Sequence, residues 1–204
     1  MPRAFTSDEA SAIRAKLMAA GEESFARMGI RRTTVDELTR AAGISKGAFY
    51  SFFDTKEALF LALLEDHEIR AHAEVEAAVR ADPRHGLETL IATAMQATQR
   101  NPLLPIAMSQ EGLRLLHGMT EAQREAFAQR DVRLVERILE LLGQAGVEVG
   151  VSSTALVALL RALVFVGWHR PEIGEDLTDE LTAWLTPTLR AALLSGSSAT
   201  GAGR

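Results

Sequence analysis

TTVDELTRAAGISKGAFYSFFDTKEALF, residues 33–60, decides the fold of this chain. It contains two short apolar-patterned segments, and a glycine separates them. Thr34 opens a capping box for the first segment, Gly43 suits the left-handed position after a helix end, and Ser45 can cap a second helix. The stretch therefore predicts a helix-turn-helix over residues 34–53.

Four of the chain's aromatic residues crowd into positions 49–53 of this motif. Phe49 and Phe53 are four residues apart, so they share one face of a second helix and are expected to pack against the first. Tyr50 stays on the outer side. Phe52 remains open at this stage, either as a core residue or as part of the outer face.

The rest of the chain also favours helices, because apolar residues recur at three- and four-residue steps and no alternating run appears. A capping box at Thr6 opens a first helix that Gly29 stops, and a fourth helix starts from the caps at 54–57 and ends before Pro83. Later helices are expected at about 84–100, 102–117, 121–143, 153–169 and 176–194, with HRPEIGED (169–176) as a loop. The prediction is an all-α fold of about nine helices.

Composition narrows the class of protein without deciding it. The 204 residues are 47% hydrophobic, enough for a packed core, and the absence of cysteine excludes disulfides and thiolate metal sites. Net charge is −5, but residues 1–60 hold nine Lys and Arg against eight Asp and Glu, a balance of +1. That balance is weak for a nucleic-acid-binding segment, so charge alone leaves DNA binding open. We expect a cytoplasmic protein, since the first residues have no apolar signal region.

Residues 33–60, together with the preceding FARMGIRRTT, resemble the tetracycline-repressor (TetR) family of bacterial transcription regulators. The agreement in order, spacing and residue type extends over nearly thirty positions, and the remainder of the chain shows no comparable signature. The resemblance implies a three-helix DNA-binding domain, a connecting fourth helix and a larger helical domain that dimerises and binds a small effector. We place these parts at 8–58 and 59–195, followed by a flexible tail at 196–204.

The resemblance also assigns DNA contacts residue by residue. Thr34 would offer its hydroxyl or amide to phosphate, Lys46 would reach phosphate or a guanine edge, and Gly47 would let the backbone approach closely. Tyr50 would bond a phosphate through its hydroxyl, and Lys56 would clamp a flanking phosphate. The full set of predicted DNA contacts is Arg32, Thr33, Thr34, Ser45, Lys46, Gly47, Ala48, Tyr50, Ser51 and Lys56. Ala48 and Phe52 stand where the family more often has polar residues, which leaves the bases that are read undetermined.

Chemical motifs elsewhere do not indicate an enzyme. His67 and His72 in HEIRAH are five residues apart, which turns them about 140° from each other on a helix and separates their imidazoles. No nucleophile motif or phosphate-binding glycine loop accompanies them. We therefore predict no catalytic residues, no metal and no cofactor.

The C-terminal helices predict a dimer and an effector site. Residues 153–169 are apolar nearly all round, and the last helix carries an apolar stripe, so a monomer would not cover both. The predicted dimer residues are Leu156, Leu160, Leu163, Leu181, Trp184, Leu185 and Leu189. The predicted pocket residues, which suit an apolar or mixed small molecule, are Met95, Gln99, Met108, Glu111, Leu115, Phe127, Phe165, Trp168 and His169. If Arg161 is buried it needs a partner, either a glutamate on another helix or subunit or else a ligand anion.

The sequence thus predicts a homodimeric, ligand-responsive transcription regulator that acts as a repressor on a palindromic operator. The alternative is a helical ligand-binding or interaction protein whose DNA binding is weak or lost. The low charge of the first segment and the apolar residues Ala48 and Phe52 favour that alternative. Effector, operator sequence and direction of regulation do not follow from the sequence.

Overall fold

The computed structural model describes residues 5–195, and every regular element in that range is helical. The predicted tail at 196–204 lies outside the described residues. The α-helices are α1 (Ser7–Arg32), α2 (Val35–Ala42), α3 (Lys46–Phe49), α4 (Lys56–Ala81), α5 (Gly86–Met95), α6 (Ala97–Arg100), α7 (Leu104–Met108), α8 (Gln110–His117), α9 (Glu121–Gln144), α10 (Ser153–Trp168), α11 (Arg170–Ile173) and α12 (Glu175–Ser195). The all-α prediction is confirmed. Among the described residues, no helix is both long enough and apolar enough to cross a membrane.

Side-chain caps begin the helices where the sequence predicted them. Thr6, Thr34 and Thr120 each form a complete capping box, with α1, α2 and α9 respectively. The start of α4 differs from these three boxes, because the Thr55 hydroxyl accepts a hydrogen bond from the Ala58 amide at 3.0 Å. Each box satisfies two backbone amides that would otherwise lack a partner within the helix.

Three predicted segments are more broken than their periodicity indicated. The helix expected at 84–100 is interrupted at Gln96, where the preceding carbonyl approaches α10 closely. The helix expected at 102–117 divides at Ser109, whose hydroxyl caps α8 by accepting from the Gly112 amide at 3.3 Å. The expected loop at 169–176 contains the short helix α11, which has Pro171 in its first turn, a position that proline favours.

The described chain forms two compact units, and their division differs from the predicted one. The first unit comprises residues up to Glu68 together with Pro102–Gly118, and the second comprises Ile69–Asn101 and the residues from Met119 onward. The first unit therefore takes half of α4 as well as α7 and α8. Periodicity identifies helices but not the unit into which each one packs, so the boundary expected between residues 58 and 59 falls ten residues early.

The first unit is built on an aromatic core. Phe25, Phe49 and Phe60 are fully buried, and the rings of Phe25 and Phe60 meet edge to face with centroids 5.3 Å apart. Gly21 lets α1 approach α4 closely, since a Cβ there would lie 3.0 Å from the side chain of Leu59. This packing fixes the scaffold on which α2 and α3 rest.

The second unit packs the later helices around α5 and α10. Leu87, Ile138 and Leu156 are among its buried residues. The crossing of α5 and α10 is very close, because a Cβ at Gly167 would overlap the Met95 carbonyl oxygen. Glycine is therefore required at position 167 if the two backbones are to meet as they do.

Candidate nucleic-acid interface

The turn between α2 and α3 has the geometry that the sequence predicted. Gly43 ends α2 in the left-handed conformation, with φ 68° and ψ 35°. The Ile44 amide then donates to the Thr39 carbonyl at 3.0 Å, which closes the turn. A side chain at Gly43 would be strained by this positive φ, so the turn depends on glycine.

The helix α3 begins as expected but is shorter than the predicted span to Phe53. Ser45 accepts from the Ala48 amide at 3.1 Å and caps the helix. Beyond Phe49 the bonds tighten to three-residue steps, as from the Ser51 amide to the Ala48 carbonyl at 3.1 Å. Tighter turns of this kind commonly end short helices. The segment keeps its outer face, though with less regular helix than the periodicity indicated.

The phenylalanines of the motif mount α3 on the core of the first unit. Phe49 and Phe53 are buried, with centroids 6.1 Å apart, as predicted from their spacing. Leu38 of α2 is buried in the same cluster. Phe52 is half-buried against this cluster, and its ring lies 5.9 Å from that of Phe5. The open question about Phe52 is thus settled for the free protein, where its ring packs on the protein itself.

Tyr50 divides its side chain between scaffold and solvent. Its ring meets Phe49 edge to face at 5.4 Å, while 51% of the residue is exposed. Gly47 of α3 and Ser51, two residues beyond the end of α3, are also exposed, and the Ser51 hydroxyl donates to the Gly47 carbonyl at 3.3 Å. Ala48 is half-buried. The exposed positions form the outer face that was predicted to meet DNA.

Thr34 is exposed at the start of α2, but its polar groups are engaged. Its amide donates to a Glu37 carboxylate oxygen at 2.9 Å, and its hydroxyl donates to the same oxygen at 2.9 Å. Hydrogen bonds from the Thr34 hydroxyl, and then from its amide, hold the pKa of Glu37 below its ordinary value. A phosphate that takes the Thr34 amide must therefore displace the Glu37 carboxylate.

Thr33 does not have the role predicted for it. The residue is fully buried, and its hydroxyl donates to the Gly29 carbonyl at 2.8 Å. Gly29 has φ 78°, so α1 kinks there, and Thr33 closes the kink from the other side. A hydroxyl that is buried and engaged in this way stabilises the end of α1 and is not presented to DNA. Arg32, next to it, is exposed as expected.

Lys56 is also engaged more fully than a free phosphate clamp would be. Its ammonium donates to the carbonyl oxygens of Thr33 at 2.7 Å, Ile30 at 2.8 Å and Arg31 at 3.1 Å. An ammonium has three N–H donors, so these three acceptors use all of them. The predicted phosphate clamp is, in the free protein, a cation that satisfies the last carbonyls of α1.

Lys46 forms an ion pair with a residue that sequence reasoning missed. Its Nζ lies 3.0 Å from Oδ1 of Asp36 on α2, and this hydrogen bond raises the pKa of Lys46. Ten residues separate the two, so no helical period relates them and only the turn brings them together. They face a groove of about 440 Å³ lined by Thr33, Thr34, Val35, Asp36, Lys46, Tyr50, Asp54, Thr55, Lys56 and Glu57.

The predicted effector residues do not all lie in one unit. Met108, Glu111 and Leu115 belong to the first unit, and the other six belong to the second. Met95 is buried beside Leu163 in the second unit, whereas the remaining members of the set range from half-buried to exposed. Those remaining members are Gln99, Phe127, Phe165, Trp168 and His169. Periodicity could not reveal this partition, because α7 and α8 return to the first unit.

The predicted dimer residues separate into core and surface. Leu156 and Leu163 are 1% and 4% exposed within the unit's own core, which corrects their assignment, since no surface remains for a partner. Leu160, Leu181, Leu185 and Leu189 are half-buried. Trp184 is 62% exposed on α12, as an interface residue would be in a single chain. An all-round apolar helix marks burial but does not tell core burial from interface burial.

Arg161 has the acidic partner on another helix that was expected, although the residue is aspartate. Its Nη2 lies 2.7 Å and its Nε 3.0 Å from Oδ2 of Asp131 on α9. His72 of α4 approaches the other oxygen of Asp131 at 3.3 Å. Burial opposes ionisation of Asp131, but the bonds from His72 and Arg161 outweigh it and lower the pKa of this carboxyl. His67 instead pairs with Glu22 at 3.0 Å, so the imidazoles of the two histidines of HEIRAH are separated, as predicted.

The helices α2 and α3 are joined at a left-handed glycine, and phenylalanines pack the second of them onto the core. The outer side exposes Lys46, Gly47 and Tyr50. This arrangement is a helix-turn-helix of the DNA-binding class. Residues 17–63 match the family model of bacterial regulatory proteins of the tetR family. This segment of the chain is therefore similar to the DNA-binding part of tetR-family regulators.

Described relatives are similar to this chain over part of its length. The chain is 38% identical over 68 residues to the HTH-type transcriptional regulator TtgR of Pseudomonas putida, covering 33% of this chain and 32% of TtgR. It is 34% identical over 87 residues to the HTH-type transcriptional repressor KstR2 of Rhodococcus jostii, covering 41% and 42%. The matched segment thus spans about a third of the length of the first of these relatives.

Solved structures match over most of the fold. A TetR-family transcriptional regulator from Pectobacterium atrosepticum has a TM-score of 0.68 at 23% identity, covering 93% of this chain and 98% of that one. The likeness therefore extends beyond the helix-turn-helix to the later helices, where the sequence carries no comparable signature.

Proposed function

We propose that the protein is a DNA-binding transcription regulator that represses from a palindromic operator as a homodimer and is released by a small molecule. The observation that carries the proposal is the outer face of α3, where Lys46, Gly47 and Tyr50 are exposed on a helix fixed from behind by Phe49 and Phe53. Such a face is what a recognition helix presents to the major groove. We accordingly propose that the protein acts in the cytoplasm.

Contacts to DNA would come from residues in and beside the groove. Tyr50 would donate its hydroxyl to a phosphate, since its ring is supported by Phe49 and more than half of the residue is exposed. Lys46 would leave Asp36 for a phosphate or a guanine edge. Gly47 would allow the backbone of α3 to approach the bases, because its face is exposed. Ser45 and Ser51, both exposed, complete the set.

Dimerisation would use the exposed apolar surface of α10 and α12. Phe165 is 55% exposed, Leu177 is 60% exposed and Trp184 is 62% exposed. Large apolar side chains that a single chain leaves exposed favour burial against a second copy. In a two-fold dimer of helix-turn-helix proteins the recognition helices lie about 34–36 Å apart, one turn of DNA, so the operator would be palindromic.

Release by an effector would be a coupling between two binding equilibria. A small molecule that binds better to a conformation with misplaced recognition helices lowers the affinity for the operator. By linkage, operator DNA lowers the affinity for the small molecule by the same factor. The helix α4 contributes residues to both units and would carry the change. An apolar or mixed molecule is expected near Met95 and Trp168, which offer a buried thioether and a half-buried ring.

The described functions of similar proteins agree with this proposal. The matched proteins include a transcriptional regulator and a transcriptional repressor. Crystallised NalD of Pseudomonas aeruginosa, 25% identical with a TM-score of 0.58, is described as the secondary repressor of a multidrug efflux pump, and the match covers 91% of this chain and 98% of that one. These descriptions support transcriptional regulation and repression as the function proposed for this chain. They do not bear on which genes it regulates.

The test begins with selection of duplexes from a random pool by the purified full-length protein, followed by gel-shift titration of the selected sequence. The expected result is a palindromic sequence whose affinity falls steeply with salt. Lys46→Ala and Tyr50→Phe should each weaken binding by about tenfold, the weight of one lost contact, without loss of thermal stability. Lys16→Ala, on an exposed position of α1, is the matched control and should bind as the wild type does.

Two outcomes would contradict the proposal in different ways. Failure of the protein to enrich any duplex at low salt would favour the alternative of a helical interaction protein that has lost DNA binding. Enrichment with unchanged affinity in both α3 variants would instead reject the recognition face and keep the function. Screening apolar compounds for those that raise the melting temperature and release the duplex then tests the effector.

A further inference from the structure

The ion pair between Asp36 and Lys46 lies on the face that the proposed function turns toward DNA. Lys46 is the first residue of α3 and Asp36 is the second residue of α2, with Nζ and Oδ1 3.0 Å apart. Their side chains are 54% and 65% exposed. Exposed pairs of this kind contribute little to folding stability. The main consequence of the pair is therefore for what Lys46 can bind.

The lysines that line the groove beside this pair are bonded to oxygen atoms of the protein itself. The two lysines that line it are Lys46 and Lys56. The three donors of Lys56 are taken by backbone carbonyls, and Lys46 is paired with a carboxylate. Asp54 and Glu57 line the same groove and add negative charge. A phosphate that approaches this surface meets lysines that are already engaged.

We propose that Asp36 is an affinity-determining residue that competes with DNA phosphate for the ammonium of Lys46. The inference rests on the proposed function, since it concerns the contact that Lys46 makes with DNA. On binding, the ammonium must leave Asp36 or share itself between two anions, and the carboxylate stays near the phosphate. The carboxylate and the phosphate repel each other because they carry like charges. This repulsion and the loss of the Lys46 ion pair both lower the affinity for DNA.

The effect of Asp36 is expected to be at least as large on DNA of the wrong sequence as on the operator. Phosphate contacts supply essentially all of non-specific binding, whereas specific binding also draws on base contacts. A carboxylate that opposes one phosphate contact therefore reduces non-specific binding by at least as large a factor as it reduces operator binding. Asp36 thereby makes discrimination depend more on the bases that α3 reads.

The experiment measures the affinity of full-length wild type, D36N and the control D8N for two duplexes of about 30 base pairs, three helical turns. One duplex is the sequence that the wild type selects from a random pool, and the other has the same composition in scrambled order. Asp8 is an exposed carboxylate in the first turn of α1, outside the groove, so D8N changes net charge by the same amount. D36N should bind both duplexes about three- to thirty-fold more tightly at low salt, the range expected for removing one like charge about 6 Å from a phosphate.

A salt titration tests the repulsion between Asp36 and phosphate, and a double-mutant cycle tests the competition for Lys46. The gain of D36N should shrink toward onefold as salt rises and the screening length falls to about 3 Å near 1 M. In a K46A background the gain from D36N should be several-fold smaller, because no ammonium remains to be released. A full gain in that background would overturn the competition for Lys46.

The remaining outcomes distinguish this inference from the function on which it rests. If wild type binds the selected duplex and D36N binds as D8N does, Asp36 does not limit affinity and the inference fails alone. Weaker binding by D36N at unchanged melting temperature would mean that Asp36 orients Lys46 for DNA, which also overturns it. If wild type enriches no duplex at all, the proposed function fails, and the inference fails with it.

Discussion

The ammonium of Lys56 lies 2.7 Å from the carbonyl oxygen of Thr33, joining the first residue of α4 to the residue that follows α1. Thr33 is fully buried, and Lys56 adds bonds to two further carbonyls of the same turn. The last carbonyls of a helix have no partner within it, and a cation there also complements the helix dipole. Lys56 therefore holds the end of α1, and with it the start of α2.

We expect Lys56→Ala to destabilise the protein by about 1–3 kcal/mol, because it leaves three carbonyls without their donor. Lys16→Ala, on an exposed position of α1, should leave stability unchanged. Chemical denaturation of both variants measures the difference. If Lys56→Ala lost DNA binding at full stability, the residue would be a phosphate clamp, as its position in the motif first indicated.

Gly47→Ala should separate folding from DNA binding. A Cβ at Gly47 would meet its nearest neighbour, the Ser45 hydroxyl oxygen, at 3.9 Å, so the fold has room for it. Alanine is the better helix former by up to about 1 kcal/mol, and stability should be unchanged or slightly raised. The added methyl would stand between α3 and the bases, so we expect operator affinity to fall about tenfold or more, the weight of one lost contact. Thermal melting and gel-shift titration of the same preparation test both halves, and unchanged affinity would show that α3 does not approach DNA closely at this point.

The helix-turn-helix was predictable because its signals are local. Capping by Thr34 and Ser45 and the left-handed Gly43 depend on residues within four positions of one another, and so does the face shared by Phe49 and Phe53. Each of these features is present in the structure as the sequence indicated. Local hydrogen bonds and helical spacing are what a single sequence encodes most directly.

The features that escaped prediction depend on residues far apart in the chain. Lys56 meets carbonyls about 25 positions earlier, and Lys46 meets Asp36 across the turn. Nothing in the spacing of these residues marks such pairs in advance. The apolar residues of α10 also have different surroundings that the sequence did not reveal. Leu156 packs in the core of its own unit, whereas Phe165 is exposed. Periodicity reveals that a helix is covered on several sides and leaves open what covers each one.

The carboxyl of Asp131 predicts a pH dependence of stability in the second unit. Its pKa lies below its ordinary value of 3.8, because bonds from His72 and Arg161 outweigh the opposing effect of burial. A carboxyl with a depressed pKa binds fewer protons when folded, so its contribution is complete above the ordinary value and is lost as pH falls through the folded one. Asp131→Asn should cost about 1–3 kcal/mol at neutral pH and flatten the loss of unfolding free energy on acidification below about pH 4.

The matched control for that variant is Asp179→Asn. Asp179 is also paired with an arginine, Arg170, and its pKa is lowered by that bond, but its side chain is 67% exposed. Exposed pairs contribute less, so this variant should follow the wild-type curve more closely. Parallel curves for wild type and Asp131→Asn between neutral pH and pH 3 would contradict the role of Asp131.

Trp184 tests the proposed dimer, since the dimer depends on apolar surface that a single chain leaves exposed. Trp184→Glu places a charge on that surface, and we expect it to weaken association by about a hundredfold or more, as for loss of a buried aromatic anchor. Ile69→Glu is the control, because Ile69 is 53% exposed on α4, outside the proposed interface. Sedimentation of both variants across a range of concentrations measures the effect, and the Trp184 variant should also lose affinity for the full palindrome while keeping that for a half-site. A Trp184→Glu protein that sediments as the wild type does would place the dimer contact elsewhere, since a buried, unpaired carboxylate at the interface is too costly to leave association unchanged.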